Sequence, residues 1–389
     1  MTPADRPTVL VLTRHYLPGY RAGGPIKSLS AVTKTLGHEF GFKVVTLDRD
    51  LGAQEPYTGV AIDRWTANGD AEVFYLRPGF LAPWRVLKAA RSTTFDVVYQ
   101  NSFWDPWFTI APLVFHWLGL IKTTPVILAP RGEFSKGAFA LKRLKKSVYL
   151  RLAKLVGLYS GVSWQASTEL EKQDIIDVFP DSGPRITIAL NLSTQTSPAA
   201  APAKKEGPLK VVFLSRLVPK KNLDFALGVL SAVSRPVAFD IYGPWEDADY
   251  RRRCEALIAA LPASVAVSYR GPVKAEDVVP TFAGHDLFFF PTRGENFGHV
   301  IDEALSAGCP VLLSNLTPWR DLEAHGAGWS LPLSEPGRFR ELIEELADLP
   351  EGEYTKLRER ALRYAALKRR DNELAVRQHR ELFRGAVAR

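Results

Sequence analysis

Cysteine is nearly absent from this chain: there are two, Cys254 and Cys309, in 389 residues. Two thiols cannot brace a chain of this length, so a disulfide scaffold is excluded. No Cys/His cluster has metal-ligand spacing, and the seven histidines are scattered. A long unbroken apolar run is also missing. The longest apolar stretch, Phe103 to Ile121, contains Asp105, Pro106, Pro112 and His116, which argues against a membrane span. Met1 to Pro7 is polar, and the run Val9 to Leu12 is too short for a secretory leader, so a cytoplasmic protein is expected. Neither sign of charge dominates. Fifty Lys and Arg against 42 Asp and Glu leave +8, which admits phosphates, anionic lipid or nucleic acid and selects none. What remains is ordinary globular material, 46% apolar and 24% charged. That is enough for a large core, and it excludes disorder and collagen.

Short apolar runs alternate with helical patterns along the first half. TVLVLTRHYLP (8–18) reads as a buried strand, followed by a Gly-Gly turn at Gly23 and Gly24 and a helix over 26–36. FKVVTL, EVFYL, FDVVYQ, PVILAP and GVSWQAS read as further strands. Apolar strands separated by helices predict a parallel sheet covered on both faces. Residues 194–208 (TQTSPAAAPAKKEGP) lack apolar periodicity and read as a linker. The pattern then restarts with LKVVFLSRL, VAFDIYG, VAVSYRG, DLFFFPT and PVLLSN, with helices over 222–234, 247–261, 275–283, 299–307 and 335–348. The tail from Tyr354 reads as one or two charged helices. The expected domains are 1–193, 209–365, and a C-terminal helix 366–389 that returns to the first domain. Two α/β halves predict a cleft, and ligands bind beyond the carboxyl ends of such strands. The ends to search are 18–27, 100–104, 129–133, 215–222, 242–244 and 292–303.

The strongest local signal is PTRGENFGHVIDEALSAGCPVLLSN (291–315). A strand ends at Pro291, a polar turn follows, and a helix begins near Gly298. Glu295 in the turn and Glu303 in the helix can face one site and accept hydrogen bonds from sugar hydroxyls, while amides at the helix start can meet an anion. The spacing alone fits a capped surface helix equally well. The second signal is FLSRLVPKKN (213–222), a strand running into a turn that carries Arg216 and Lys221. Two cations there suit a diphosphate, Arg as a chelating fork and Lys as a point charge. A solvated basic turn is the alternative.

The run ENFGHVIDEALSAGCPVLLSN, followed by TPW at 317–319, resembles the Glu-x7-Glu segment of retaining glycosyltransferases of family 4. The resemblance implies an α/β, GT-B architecture: two Rossmann-like domains facing each other across a cleft, with C-terminal helices crossing back to the first. It implies a nucleotide-diphosphate sugar as co-substrate, no further cofactor and no metal. By position, Arg216 and Lys221 would hold the diphosphate. Glu295 would hold the transferred sugar with the backbone of Phe297 and Gly298, and Glu303 would hold the ribose. Gly23, Gly24, Gly243 and Gly271 match loops that lie beside the donor. Asn222 stands where glycine is commoner, and Asn101 stands where relatives carry a histidine near the donor sugar. Asn cannot titrate, which leaves a weakened, sugar-nucleotide-binding scaffold as the alternative to an active transferase. A phosphorylase or sugar-nucleotide epimerase is a third reading, without its expected lysine context. In APRGEF (129–134), Arg131 is a candidate acceptor or phosphate contact, or equally an arginine paired within its own domain, and Glu133 is a further candidate acceptor contact.

Between Lys136 and Lys154 there are seven Lys or Arg and no acid. This basic amphipathic segment predicts contact with an anionic membrane surface, aided by Trp104, Trp107 and Phe108. Nucleic acid is not an expected partner. The TPW resembles family members that build surface polysaccharide or lipopolysaccharide, and points to a glycan or lipid-linked acceptor at the inner face of the membrane.

Overall fold

The computed structural model describes residues 6–122, 124–135, 143–192, 207–368 and 370–388. The chain forms two compact units, Met1–Thr194 with Asn372–Arg389, and Gln195–Asp371. The expected linker lies outside the described residues except for Gly207 and Pro208.

The first unit holds an eight-stranded sheet. Its strands are β1 (Thr8–Leu12), β2 (Gly41–Leu47), β3 (Trp65–Asn68), β4 (Ala71–Leu76), β5 (Val97–Asn101), β6 (Val126–Ala129), β7 (Val162–Ala166) and β8 (Ile186–Ile188). Their order is β3-β4-β2-β1-β5-β6-β7-β8, and only the β3–β4 pair is antiparallel. Both faces are dry, so the strands read as unbroken apolar runs. Leu10 and Leu12 face one core with helices Ala82–Arg91, Ala111–Trp117 and Arg143–Leu155. Val9 and Val11 face the other core with helix Gly24–Leu36 and the last helix, Arg370–Val387.

That last helix is part of the first unit's core. The Phe383 ring lies 5.5 Å from Phe40, 5.9 Å from Phe42 and 5.3 Å from Tyr99, and Arg380 Nε donates to both carboxylate oxygens of Glu39 at 2.8 Å. His379 is buried between them. Its Nδ1 lies 3.0 Å from the Ala375 carbonyl and its Nε2 3.2 Å from Gln165 Nε2. A neutral ring satisfies both contacts, donating from Nδ1 and accepting at Nε2. Burial lowers its pKa to about 4. An unfolded histidine titrates near 6.5, so the unfolded chain binds the extra proton first as pH falls. Stability held at neutral pH is therefore lost between about 6.5 and 4, by roughly 3 kcal/mol from this group. We expect His379→Gln, which keeps an acceptor for Gln165, to flatten the fall in melting temperature from neutral pH to pH about 4. An unchanged slope would show that the ring does not set it.

The second unit holds six parallel strands: β9 (Leu209–Leu214), β10 (Val237–Tyr242), β11 (Val265–Gly271), β12 (Leu287–Phe290), β13 (Val311–Ser314) and β14 (Gly328–Leu331). Their order is β11-β10-β9-β12-β13-β14. Helices Leu223–Leu230, Ala248–Ala259, Val278–Ala283, His299–Ser306 and Pro336–Ala347 cover it, close to the ranges expected from periodicity. Helix Glu351–Lys368 ties on through Tyr354, whose hydroxyl donates to the Asp286 carbonyl at 2.8 Å. The charged tail is thus two helices, of which Glu351–Lys368 belongs to this unit.

One expectation holds and one needs correction. The apolar stretch 103–121 breaks into a short turn at Pro106–Ile110 and helix Ala111–Trp117, because Asp105 caps the turn by accepting from Trp107 N and Phe108 N. Among the described residues, no helix is long and apolar enough to cross a membrane. Nor do the three aromatics offered for membrane contact form an outward face. Phe108 is buried in the core. Trp107 lies under the Arg14 guanidinium at 4.7 Å, and Trp104 lies under the Lys146 ammonium at 5.0 Å. The basic segment is described only from Arg143, as helix Arg143–Leu155; residues 136–142 lie outside the described residues.

Candidate functional site

In the second unit the strand order reverses between β9 and β12, the position where open α/β sheets bind ligands. Residues 215–222 follow β9, and residues 291–298 follow β12. The two loops are stitched together. Asn222 adopts a left-handed conformation, φ 66°, which explains why glycine suits this position; Asn is among the few other residues that tolerate it. Its side chain then spans the gap. Nδ2 donates to the Pro291 carbonyl and Oδ1 accepts from Arg293 Nε, both at 2.8 Å. Arg293 N and Thr292 Oγ1 donate to the Lys220 carbonyl at 2.8 and 3.1 Å.

This stitching brings Lys221 to Glu295. The Lys221 ammonium is ion-paired to Glu295 Oε1, and both side chains are largely buried. The ammonium also lies 5.4 Å from the centre of the Phe290 ring. Glu295 N donates to the Leu316 carbonyl at 3.1 Å, which fixes the loop from the other side. Gly298 precedes helix His299–Ser306 at φ 81°, and a Cβ there would stand 2.7 Å from Ile301 Cδ1. The left-handed backbone and the nearby Ile301 both favour glycine at this helix start. Trp319 of the TPW triplet holds the turn, its Nε1 donating to the Phe297 carbonyl at 2.6 Å. Glu303 is buried one turn into the helix.

Arg216 is held more loosely. Its side chain is 42% exposed and lies 3.4 Å from either carboxylate oxygen of Glu246. An exposed pair at that length adds little stability, so the guanidinium can be drawn to a stronger anion. Gly243 has a packing reason of its own: a Cβ there would stand 1.7 Å from the Ser215 carbonyl oxygen, next to Arg216. Its amide donates to the Gly271 carbonyl at 2.9 Å. Gly271 itself is at φ 80° with open space around it. Arg216, Lys221, Glu295, Phe297, Gly298 and Glu303 therefore share one sheet end, while Gly243 and Gly271 close the neighbouring strands.

The first unit reverses between β1 and β5. Gly23, at φ 72°, and Gly24 open helix Gly24–Leu36. Asn101 ends β5 and is buried. Its Oδ1 accepts from Arg131 Nε at 3.1 Å and from the Arg131 terminal nitrogen at 2.6 Å. A guanidinium only donates, so this fixes the amide with Nδ2 on the far side. Asn101 Nδ2 is buried without a protein acceptor, and so is Nδ1 of His15, in the loop after β1. Burial and the Arg14 charge hold the His15 pKa below its usual range. The sequence signal for His15 was available, a histidine three residues past a buried strand, yet it resembled any scattered one.

Arg131 and Glu133 do not stand free for an acceptor. Arg131 donates to Asn101, to Asn191 and to Tyr99 Oη. Glu133 accepts from Ser102 Oγ at 2.9 Å, Phe103 N at 2.6 Å and Trp104 N at 3.0 Å, and its pKa is raised by burial. Both brace the loop that carries Asn101. Among the described residues, no group of three or more His, Cys, Asp or Glu could hold a metal ion.

Residues 196–367 match the family described as "Glycosyl transferases group 1". A GDP-mannose-dependent alpha-mannosyltransferase of Mycobacterium tuberculosis is 31% identical over 131 residues, which are 33% of this chain and 32% of that protein. The chain thus matches about a third of the length of that curated relative. The structure of HepE from Anabaena in complex with UDP and glucose covers 98% of this chain and 100% of its own, with 18% identity and a TM-score of 0.70. WaaG, a glycosyltransferase involved in lipopolysaccharide biosynthesis, covers 96% and 99%, with 14% identity and a TM-score of 0.69. The chain has the two-domain α/β fold of GT-B glycosyltransferases, and its second unit carries a glycosyl transferases group 1 domain.

Proposed function

We propose that this protein is a retaining glycosyltransferase of the family 4 type. It moves a sugar from a nucleotide-diphosphate sugar to a glycan or lipid-linked glycan in the building of surface polysaccharide. The observation that carries the reading is the Lys221–Glu295 ion pair at the switch point, where a cation and a carboxylate from separate loops are held together.

Each residue then has a task. Arg216 leaves Glu246 for the diphosphate and grips it as a fork, and Lys221 adds a compact charge beside it. Glu295, with the backbone of Phe297 and Gly298, accepts the hydroxyls of the transferred sugar, and Glu303 accepts those of the ribose. As the bond from the anomeric carbon to the diphosphate breaks, its electron pair goes to the departing phosphate oxygen, while the acceptor hydroxyl oxygen bonds to the anomeric carbon and its proton passes to that phosphate. Arg216 and Lys221 are already in place against that charge, so stabilisation costs little reorganisation. No step in this scheme needs a metal. In the first unit, Asn101 Nδ2 and His15 Nδ1 are buried polar atoms beside the loops that follow β5 and β1, and Arg131 positions the first of them. The basic segment from Lys136 to Lys154 would meet the membrane that holds a lipid-linked acceptor. HepE, whose structure contains UDP and glucose, and WaaG support the donor and pathway classes.

The test is a melting-temperature screen against UDP-, GDP- and ADP-sugars. The matching donor at about a hundred times its Kd adds about 2.7 kcal/mol of stability. Hydrolysis or transfer should follow with that donor alone. A panel in which no nucleotide sugar raises the melting temperature or is consumed would overturn the reading.

A further inference from the structure

The first unit carries an apolar surface that the glycosyltransferase site does not use. Phe80 is 92% exposed, Trp84 56% and Trp117 57%, with Leu81 and Leu118 also in solvent. Trp84 and Trp117 lie on neighbouring helices, with Phe80 and Leu81 just before the first and Leu118 just after the second. Helix Ala82–Arg91 packs on helix Ala111–Trp117. The Trp84 ring lies 5.4 Å from that of Phe115, and Arg91 Nε donates to the Leu120 carbonyl at 2.9 Å. Single exposed apolar side chains are normal on a soluble protein, whereas five large ones on and beside the ends of two packed helices form a patch with a purpose.

The charges around the patch have one sign. Residues 77–95 and 106–125 contain no Asp or Glu, but do contain Arg77, Arg85, Lys88, Arg91 and Lys122. Arg77, Lys88, Arg91 and Lys122 are exposed. Leu81, Trp84, Lys88 and Arg91 recur every three or four residues and so share one helix face. That face is apolar at its start and basic at its end. Trp and Phe beside Lys and Arg suit the boundary between lipid headgroups and acyl chains. A second copy of this chain would set the basic rim against itself, which disfavours self-association.

We propose that this face is an anchor for anionic membrane lipid. Phe80, Trp84 and Trp117 enter the headgroup boundary, while Lys88, Arg91 and Lys122 meet lipid phosphates. The inference deepens the membrane contact proposed above, and rests on it only in placing the protein at a membrane. Helix Arg143–Leu155 covers the same core and carries basic residues of its own, so it is tested by its own variant.

Cosedimentation of the full chain with phosphatidylcholine vesicles, with and without phosphatidylglycerol, tests it. The wild type should bind only the anionic vesicles, and should be released at about 0.5 M salt, where charges are screened beyond a few ångströms. The triple variant Phe80→Ser, Trp84→Ser, Trp117→Ser should bind about tenfold more weakly or worse. Lys88→Glu with Arg91→Glu should lose about tenfold or more at low salt. Melting temperatures check that both remain folded. If the aromatic variant binds like wild type while Lys145→Glu with Arg151→Glu abolishes binding, the anchor is wrong and the basic helix alone makes the contact. Absence of wild-type binding to anionic vesicles overturns both. A concentration-dependent dimer in light scattering that the aromatic variant abolishes would instead make the patch a protein interface.

Discussion

Lys221→Ala is expected to lower kcat for sugar transfer by about 10²–10³-fold, the range found when one preorganised charge-stabilising donor is removed. The Lys221–Glu295 pair also has a structural side, since both groups are largely buried. Removing one partner leaves the other charge without compensation, so the melting temperature should fall as well. A cycle separates the two roles. Glu295→Gln alone, Lys221→Ala alone and the double variant are compared by denaturant midpoint and by kcat. Stability should be partly regained in the double variant, because neither charge is then stranded. Turnover should not recover, because the departing diphosphate still lacks its cation. Recovery of turnover along with stability would reduce Lys221 to a structural residue.

Gly243→Ala should be the most damaging single methyl group in the second unit. Its Cβ would sit 1.7 Å from the Ser215 carbonyl, on backbone at φ 133°. Backbone cannot rotate aside as a side chain can, so β9 and β10 must part at their ends. We expect a loss of about 3 kcal/mol or more, which is roughly 10 °C for a unit of this size. Surviving folded protein should transfer poorly, since the displaced segment carries Arg216. Gly271→Ala is the control. It too has positive φ, at 80°, but nothing lies within 4 Å of its Cβ. It should cost only about 1–2 kcal/mol. Equal losses at the two positions would mean that the close approach at Ser215 relaxes more easily than its geometry implies.

Central strands were legible because burial on both faces leaves an unmistakable apolar run, as in Val9–Leu12 or Leu287–Phe290. β3, β8 and β14 were not. They are short and only partly buried, as edge strands are, so their sequences (WTAN, ITI and GWSL) carry little signal. At the site, the motif brought Arg216, Lys221, Glu295 and Glu303 to one sheet end, but it was silent on how they are held. The Glu246 contact to Arg216 spans 30 residues, and the Asn222 bridge to Pro291 spans 69. Neither has a local pattern. Arg131 and Glu133 looked like ligand contacts because charge at a strand end serves binding and bracing alike. Trp104 and Trp107 misled for a related reason: a sequence shows an aromatic, but not the cation already resting on it.

The return of the last helix to the first unit has a consequence for anyone dissecting this gene. Cutting within 194–208 yields no autonomous half. A fragment ending there lacks Phe383, Ala375 and Leu382, leaving an apolar trough along β1 and β2. The remaining fragment drags an orphaned greasy helix into solvent. Chimaeras that exchange second units between related chains must therefore splice at two junctions, transplanting 209–368 as an insert and leaving the host its own final helix.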